Sequence, residues 1–129
     1  MEKIQSKSEK RLIVEGLVNG KSACFLIDTG ASVGMMDYDQ RKDYDLSVGR
    51  RFNGTIIGAG GEMRNVRHCD TFLILQNKVI PQFLLADIGG VVESIKRETG
   101  IEILGILSLP QMGMVGMNID VNSHEIWFE

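Results

Sequence analysis

Asp28 closes the apolar run Phe25-Leu26-Ile27 and is followed at once by Thr29-Gly30-Ala31-Ser32. A carboxylate at the end of such a run is costly to bury unless it is hydrogen-bonded or at work. One kind of work open to such a carboxylate is peptide hydrolysis. A water held between two carboxylates that share one proton is activated without a metal or a protein nucleophile, because like charges ~3 Å apart do not both ionise readily. That chemistry needs an aspartate held rigidly at a turn beside a symmetry axis. Gly30 lets the turn bend with backbone amides near the carboxylate, and Thr29 offers a hydroxyl to brace a facing turn.

Other reactive groups are harder to assemble. His68-Cys69-Asp70 would lie on a strand, where His68 and Asp70 share one face and Cys69 takes the other, so the three do not converge. With His124 the only other histidine, and Cys24 and Cys69 the only cysteines, neither a metal cluster, a Cys-His nucleophile nor a disulfide framework is expected. Gly58-Ala59-Gly60-Gly61 has the composition of a phosphate loop but lacks a following Lys-Ser/Thr and a clear helix. Asp28-x-Gly30-x-Ser32 also suits the first phosphate loop of sugar kinases and actin-like ATPases, folds that need far longer chains and a second phosphate motif. Asp87-Ile88-Gly89-Gly90 follows an apolar strand too, and its simpler reading is a loop turn.

The elements that must position Asp28 are mostly strands. Leu12 to Val18 is apolar and partly β-branched and runs into Asn19-Gly20, a strong hairpin signal because both residues tolerate the positive φ of a type I′ turn. The return strand, Ser22 to Ile27, has Ala23, Phe25 and Ile27 on one face and Cys24 and Leu26 on the other, which predicts burial on both sides. Residues 37–51 read as a loop or short helix. Thr55-Ile56-Ile57 and 62–67 form a hairpin around the glycine-rich tip, and strands follow at Thr71–Leu75 and Val79–Ala86. Val91 to Glu98 has helical spacing with Gly100 as its stop. Ile101 to Leu107 is a further strand, a short helix starts near Leu109 with Pro110 in its first turn, and strands at Val115–Val121 and Glu125–Phe128 close the reading. Met35-Met36 reads as adaptable core filling. The expectation is an all-β, closed or partly closed fold of roughly eight strands with one or two short helices.

The chain has 129 residues, 43% hydrophobic and 24% charged, with net charge −3. One domain over residues 1–129 is expected, with 1–10 a polar arm. The charge gives no reason to expect nucleic acid or an anionic membrane as partner, and no apolar run approaches the ~20 residues of a membrane helix. A polar N-terminus without an apolar stretch makes the cytoplasm the default location.

Taken together, Phe25-Leu26-Ile27-Asp28-Thr29-Gly30-Ala31-Ser32 resembles the signature turn of retropepsin-like aspartic peptidases. The Asn-Gly hairpin before it, the glycine-rich tip about thirty residues later, Ile103-Leu104-Gly105 and the closing Asn118-Ile119-Asp120 and Ile126-Trp127-Phe128 extend the resemblance over residues 12–128. It implies an acid-protease-like barrel in which Asp28 is the catalytic carboxylate, Thr29 the bracing hydroxyl and Gly30 the turn. It makes Gly58, Ala59, Gly60 and Gly61 a flap over the substrate, and Ala31, Ser32, Ile103, Leu104 and Gly105 support for the active site. Ala31 stands where pepsin-like enzymes have a serine, which implies activity nearer neutral pH. One Asp-Thr-Gly per chain implies a homodimer, joined by analogy through the N-terminal arm and the C-terminal strands. An extended peptide substrate and no cofactor or metal complete the expectation, with Ile57, Val33 and Ile106 as apolar subsite candidates. The competing reading is a catalytically silent peptide-binding or dimerisation module on the same fold.

Overall fold

In the computed structural model, which describes residues 2–58, 61–63 and 65–129, the apolar runs become short strands joined by tight turns. First come β1 (Ile4–Gln5), β2 (Ile13–Val18), β3 (Lys21–Asp28) and β4 (Gly34–Asp37), then a 3-10 turn at Tyr38–Gln40. A small hairpin, β5 (Ile57–Gly58) and β6 (Gly61–Glu62), leads to β7 (Arg67–Cys69), β8 (Leu73–Leu75), β9 (Lys78–Ile80) and β10 (Phe83–Ala86). Helix α1 (Gly89–Thr99), β11 (Gly105–Ser108), helix α2 (Leu109–Met114), β12 (Met117–Asp120) and β13 (Glu125–Phe128) follow.

The β2–β3 hairpin forms as its turn residues require. Asn19 and Gly20 have φ of 51° and 78°, the left-handed pair of a type I′ turn, and the strands pair from Val18↔Lys21 to Ile13↔Leu26. This hairpin sits in an eight-stranded sheet of order β7-β10-β4-β11-β3-β2-β8-β9. β11 runs parallel to β3 and antiparallel to β4, so it lies between two strands that are consecutive in sequence. A second sheet, β1-β13-β12, joins the two ends of the chain.

β3 is buried on both faces, as its composition predicts. Ala23, Phe25 and Ile27 pack with Met36, Leu85 and Leu107 in one cluster, and Phe25 meets Phe83 at a ring-centroid distance of 5.4 Å. Leu26 packs on the other face with Met35, Ile95 and Ile106. α1 seats Val92 and Ile95 in that second cluster and ends at Gly100, whose φ of 78° is the left-handed cap.

Three element boundaries differ from the sequence expectation. Gly34–Asp37 is a strand at the centre of the sheet, buried at all four positions, so Met35 and Met36 fill the core as expected but do so as strand residues. The Val79–Ala86 run divides at Pro81-Gln82, where proline removes a donor and Gln82 takes a φ of 70°. The Ile101–Leu107 strand is shifted to Gly105–Ser108. Gly105 fits because nothing larger does: a Cβ there would stand 2.2 Å from the Met35 carbonyl oxygen and 2.7 Å from Phe25.

Gly105→Ala is therefore expected to destabilise the fold by about 1–3 kcal/mol through overpacking. Urea unfolding of the two proteins checks this, and an unchanged midpoint would contradict the close approach of β11 to β4.

Candidate active site

The chain leaves β3 at Asp28 and cannot enter β4 directly, because β11 occupies the place between them. Residues 29–33 must step across the end of β11, and this crossing forms the turn. Three hydrogen bonds hold it. The Ala31 N–H donates to the Asp28 carbonyl at 3.1 Å, the Leu109 N–H to the Ala31 carbonyl at 3.1 Å, and the Gly30 N–H to Asp28 Oδ1 at 3.0 Å. Asp28 and Ala31 are half-buried, while Thr29, Gly30 and Ser32 are exposed. Ala31 carries no side-chain donor towards the carboxylate.

The support behind Asp28 is displaced by three residues from the sequence expectation. In the parallel register Ser108 lies opposite Asp28, Leu107 opposite Ile27, Ile106 opposite Leu26 and Gly105 opposite Phe25. Ile103 and Leu104 are buried before the strand begins. There the Leu104 N–H donates to the Cys24 carbonyl at 2.8 Å, and its own carbonyl accepts from the Asp37 N–H at 2.9 Å. Both backbone groups are thus spent on the start of β11, and the residues that flank Asp28 are Ile106, Leu107 and Ser108.

Ser108 and Gln111 are structural partners of the turn that the sequence reading passed over. Ser108 is 1% exposed and Gln111 2%, so both need internal partners. The Ser108 N–H and Oγ each donate to Gln111 Oε1 at 3.0 Å, and the Gln111 N–H returns to Ser108 Oγ at 3.4 Å. Gln111 Nε2 donates onward to the Pro81 carbonyl at 2.8 Å. This is a capping box at the start of α2, and Ser108-x-x-Gln111 after an apolar run was the readable signal.

Asp28 opens into a groove of about 1280 Å³. Leu26 and Asp28 share one face of β3, and Ile106 extends that face from the neighbouring strand. All three apolar subsite candidates, Val33, Ile57 and Ile106, line the groove. Ile56, Ile57 and Met63 reach it from the β5–β6 hairpin, in which Ile57 pairs with Glu62 and Gly58 with Gly61. Of the expected flap residues, Ala59 and Gly60 lie outside the described residues.

α1 forms another wall and is fastened near Asp28 by an ion pair. Arg11 Nε lies 2.8 Å from Glu98 Oε1 and Nη2 lies 3.1 Å from Oε2, a bidentate arrangement. Lys10 Nζ adds a hydrogen bond to the Glu98 carbonyl at 3.1 Å. The hydrogen bonds from Arg11 hold the Glu98 carboxyl below the usual glutamate range, and the Arg11 and Lys10 charges act in the same direction.

The remaining reactive side chains are otherwise committed. Cys69 is buried, His68 sets its ring against Phe52 at 5.6 Å, and Asp70 is exposed, so that triplet diverges as its alternation predicts. Burial pushes the Cys24 thiol up, which makes it a poor nucleophile. Asp37, Asp39 and Asp87 bring carboxylate oxygens within 4.8 Å of one another. Buried Asp37 accepts from Gln40 Nε2 at 3.0 Å and the Asp39 N–H at 3.3 Å, and Asp87 from the Gly89 N–H at 3.1 Å. These bonds build the 3-10 turn and the start of α1.

A family model described as aspartyl protease matches residues 14–118. The chain belongs to the aspartyl protease family. Its fold is similar to that of EIAV protease complexed with the inhibitor HBY-793, at TM-score 0.64 and 21% identity over 91% of this chain and 99% of that one. It is also similar to the retroviral protease-like domain of Ddi1 from Leishmania major, at TM-score 0.61 and 19% identity over 92% and 88%. A retropepsin-like aspartic protease from Rickettsia conorii aligns at TM-score 0.57 and 13% identity over 97% and 86%. No curated protein matches the sequence at significance. The all-β, acid-protease-like fold and the retropepsin-like assignment expected from the sequence are thus established. No helix among the described residues is long and apolar enough to cross a membrane.

The Arg11–Glu98 pair has a pH signature. A lowered glutamate pKa stabilises the folded state at pH above the ordinary glutamate value, and that contribution is lost as pH falls through the lowered one. An NMR titration should find Glu98 below the ordinary value and moved back towards it in Arg11→Gln; an unshifted Glu98 in the parent protein would mean that the pair does not form in solution.

Proposed function

We propose that this retropepsin-like protein is an aspartic endopeptidase that acts as a homodimer, with Asp28 from each subunit forming the catalytic pair. The observation that carries the reading is Asp28 itself, fixed by a hydrogen-bonded turn at the end of two parallel strands and open to a large groove. A dyad needs a second carboxylate about 3 Å away. Among the described residues, the groove's other carboxylates, Asp39 and Asp87, stand beside Asp37, next to Leu104 at the opposite end of β11. Four residues of strand separate that end from Ser108, roughly 13 Å. A second copy of the chain would supply the facing Asp28, and the exposed Thr29 and Gly30 are where it would meet the first. The β1-β13-β12 sheet gathers both ends of the chain into one element suited to the remaining interface.

In this reading an extended peptide lies in the groove under the β5–β6 hairpin. One Asp28 is ionised and takes a proton from the water as its oxygen attacks the scissile carbonyl carbon. The other Asp28 is protonated and donates to the carbonyl oxygen, giving a neutral tetrahedral diol. Collapse of the diol breaks the C–N bond as a proton passes to the amine nitrogen, leaving an acid, an amine and a pair that again shares one proton.

The test pairs wild type with Asp28→Asn against a diverse peptide library, read by mass spectrometry from about pH 4 to 8. The expected result is cleavage that falls by on the order of 10²–10⁴-fold in the variant, with both proteins dimeric by sedimentation. Cleavage that persists in the variant would point to another active group. A protein that is strictly monomeric and active would refute the shared dyad, and silence from both would favour a peptide-binding module.

A further inference from the structure

We infer that helix α1 reads substrate side-chain size, with Val91 and Ser94 as the residues that set the limit. The inference rests on the peptidase reading of Asp28 and adds to it a specificity element. α1 is fastened at both ends of the groove. Its start is held by Asp87 through the Gly89 N–H, at the end where Asp37 and Asp39 lie. Its last turn is held by Glu98 on Arg11, and Arg11 lines the groove together with Asp28. Eleven helical residues span about 16 Å, the length of roughly five residues of extended peptide. The helix therefore runs along the groove as a wall.

Its sequence divides by face. Val91, Ser94, Ile95 and Glu98 follow the i, i+3, i+4, i+7 spacing of one stripe, and the first three line the groove. Glu93 and Arg97 pair at 3.7 Å on another face. Ile95 is buried and acts as the base of the wall, whereas Val91 and Ser94 are exposed to the groove. Ile106 and Leu26 face the same space from the sheet. An apolar surface of this kind takes an aliphatic or aromatic side chain. Ser94 is the smallest side chain of the stripe, so it leaves the room that such a group needs. Its replacement by a larger residue closes the subsite, and trimming Val91 widens it.

The experiment compares library cleavage profiles, as kcat/KM for individual peptides, of wild type, Ser94→Leu, Val91→Ala and the off-face control Glu93→Ala. Ser94→Leu should lower cleavage of peptides with large aliphatic or aromatic side chains by about tenfold or more relative to small ones. Val91→Ala should move the preference the opposite way, and Glu93→Ala should leave the profile as in wild type. General damage to the helix would lower all peptides together in every variant. Asp28-dependent cleavage with one unchanged profile across Ser94→Leu and Val91→Ala would overturn the α1 inference while the peptidase reading stands. Cleavage that is absent, or indifferent to Asp28→Asn, would overturn the peptidase reading instead. The α1 inference would then fail as a statement about catalysis, and binding of the same peptides would have to be equal in Ser94→Leu and wild type for it to fail altogether.

Discussion

The parallel pairing of β11 with β3 is the constraint on which the rest of the structure depends. Because β11 lies between β3 and β4, the chain that leaves β3 must cross a strand end before it re-enters the sheet. The crossing spends its backbone groups on Asp28, Ala31 and Leu109, and the Gly30 N–H it brings to Asp28 Oδ1 orients the carboxylate. A hairpin in the same place would have turned back against β3 and directed the aspartate along the sheet edge. The insertion also explains the close contacts of Gly105, since a strand that enters between two others must fit against the β4 backbone at Met35 and the Phe25 ring of β3 at once.

Behind the turn, burial and polarity are balanced by one network. Ser108 stands opposite Asp28 at a position that is 1% exposed, where an unpaired hydroxyl would cost on the order of 1–3 kcal/mol. Gln111 removes that cost and passes the hydrogen bonding on to the Pro81 carbonyl. The break between β9 and β10, the start of α2 and the floor beneath Asp28 thereby share one set of bonds. Their positions are coupled through a buried cluster that is stable only when complete.

Much of this was legible in the sequence because the relevant signals are local. Asn19-Gly20 specifies its turn through φ alone, and the apolar Ala23–Ile27 part of β3 announces burial on two faces. Asp28-Thr29-Gly30 identifies itself by interrupting that burial. What the sequence hid are properties of register. Gly34–Asp37 is buried at every position, so it shows no alternation and reads as filling rather than strand. Ile103-Leu104-Gly105 and Gly105-Ile106-Leu107-Ser108 overlap, and both are apolar with a small residue. Only the pairing with β3 decides that the second flanks Asp28. β1 is two residues long and becomes a strand solely through β13, a partner more than a hundred positions away in the chain.

The groove carries the same logic one step further. In the proposed homodimer, a wall made by α1, a floor made by β3 and β11, and Asp28 would be half of a symmetric enclosure. If two copies meet about the Asp28 pair, the two-fold axis passes between the carboxylates and places a second α1 on the opposite side of the scissile bond. Each copy then presents the same side chains, Val91 and Ser94, to peptide segments that run in opposite chain directions from the axis. A peptide has no such symmetry, so one wall must accept residues before the bond and its copy must accept residues after it. Smooth apolar contact tolerates that reversal, because it depends on volume more than on the direction of a donor or acceptor. Polar recognition would have to satisfy two different geometries with one residue. The apolar lining contributed by α1, β3 and β11 is thus the chemistry that the proposed two-fold site could use on both sides.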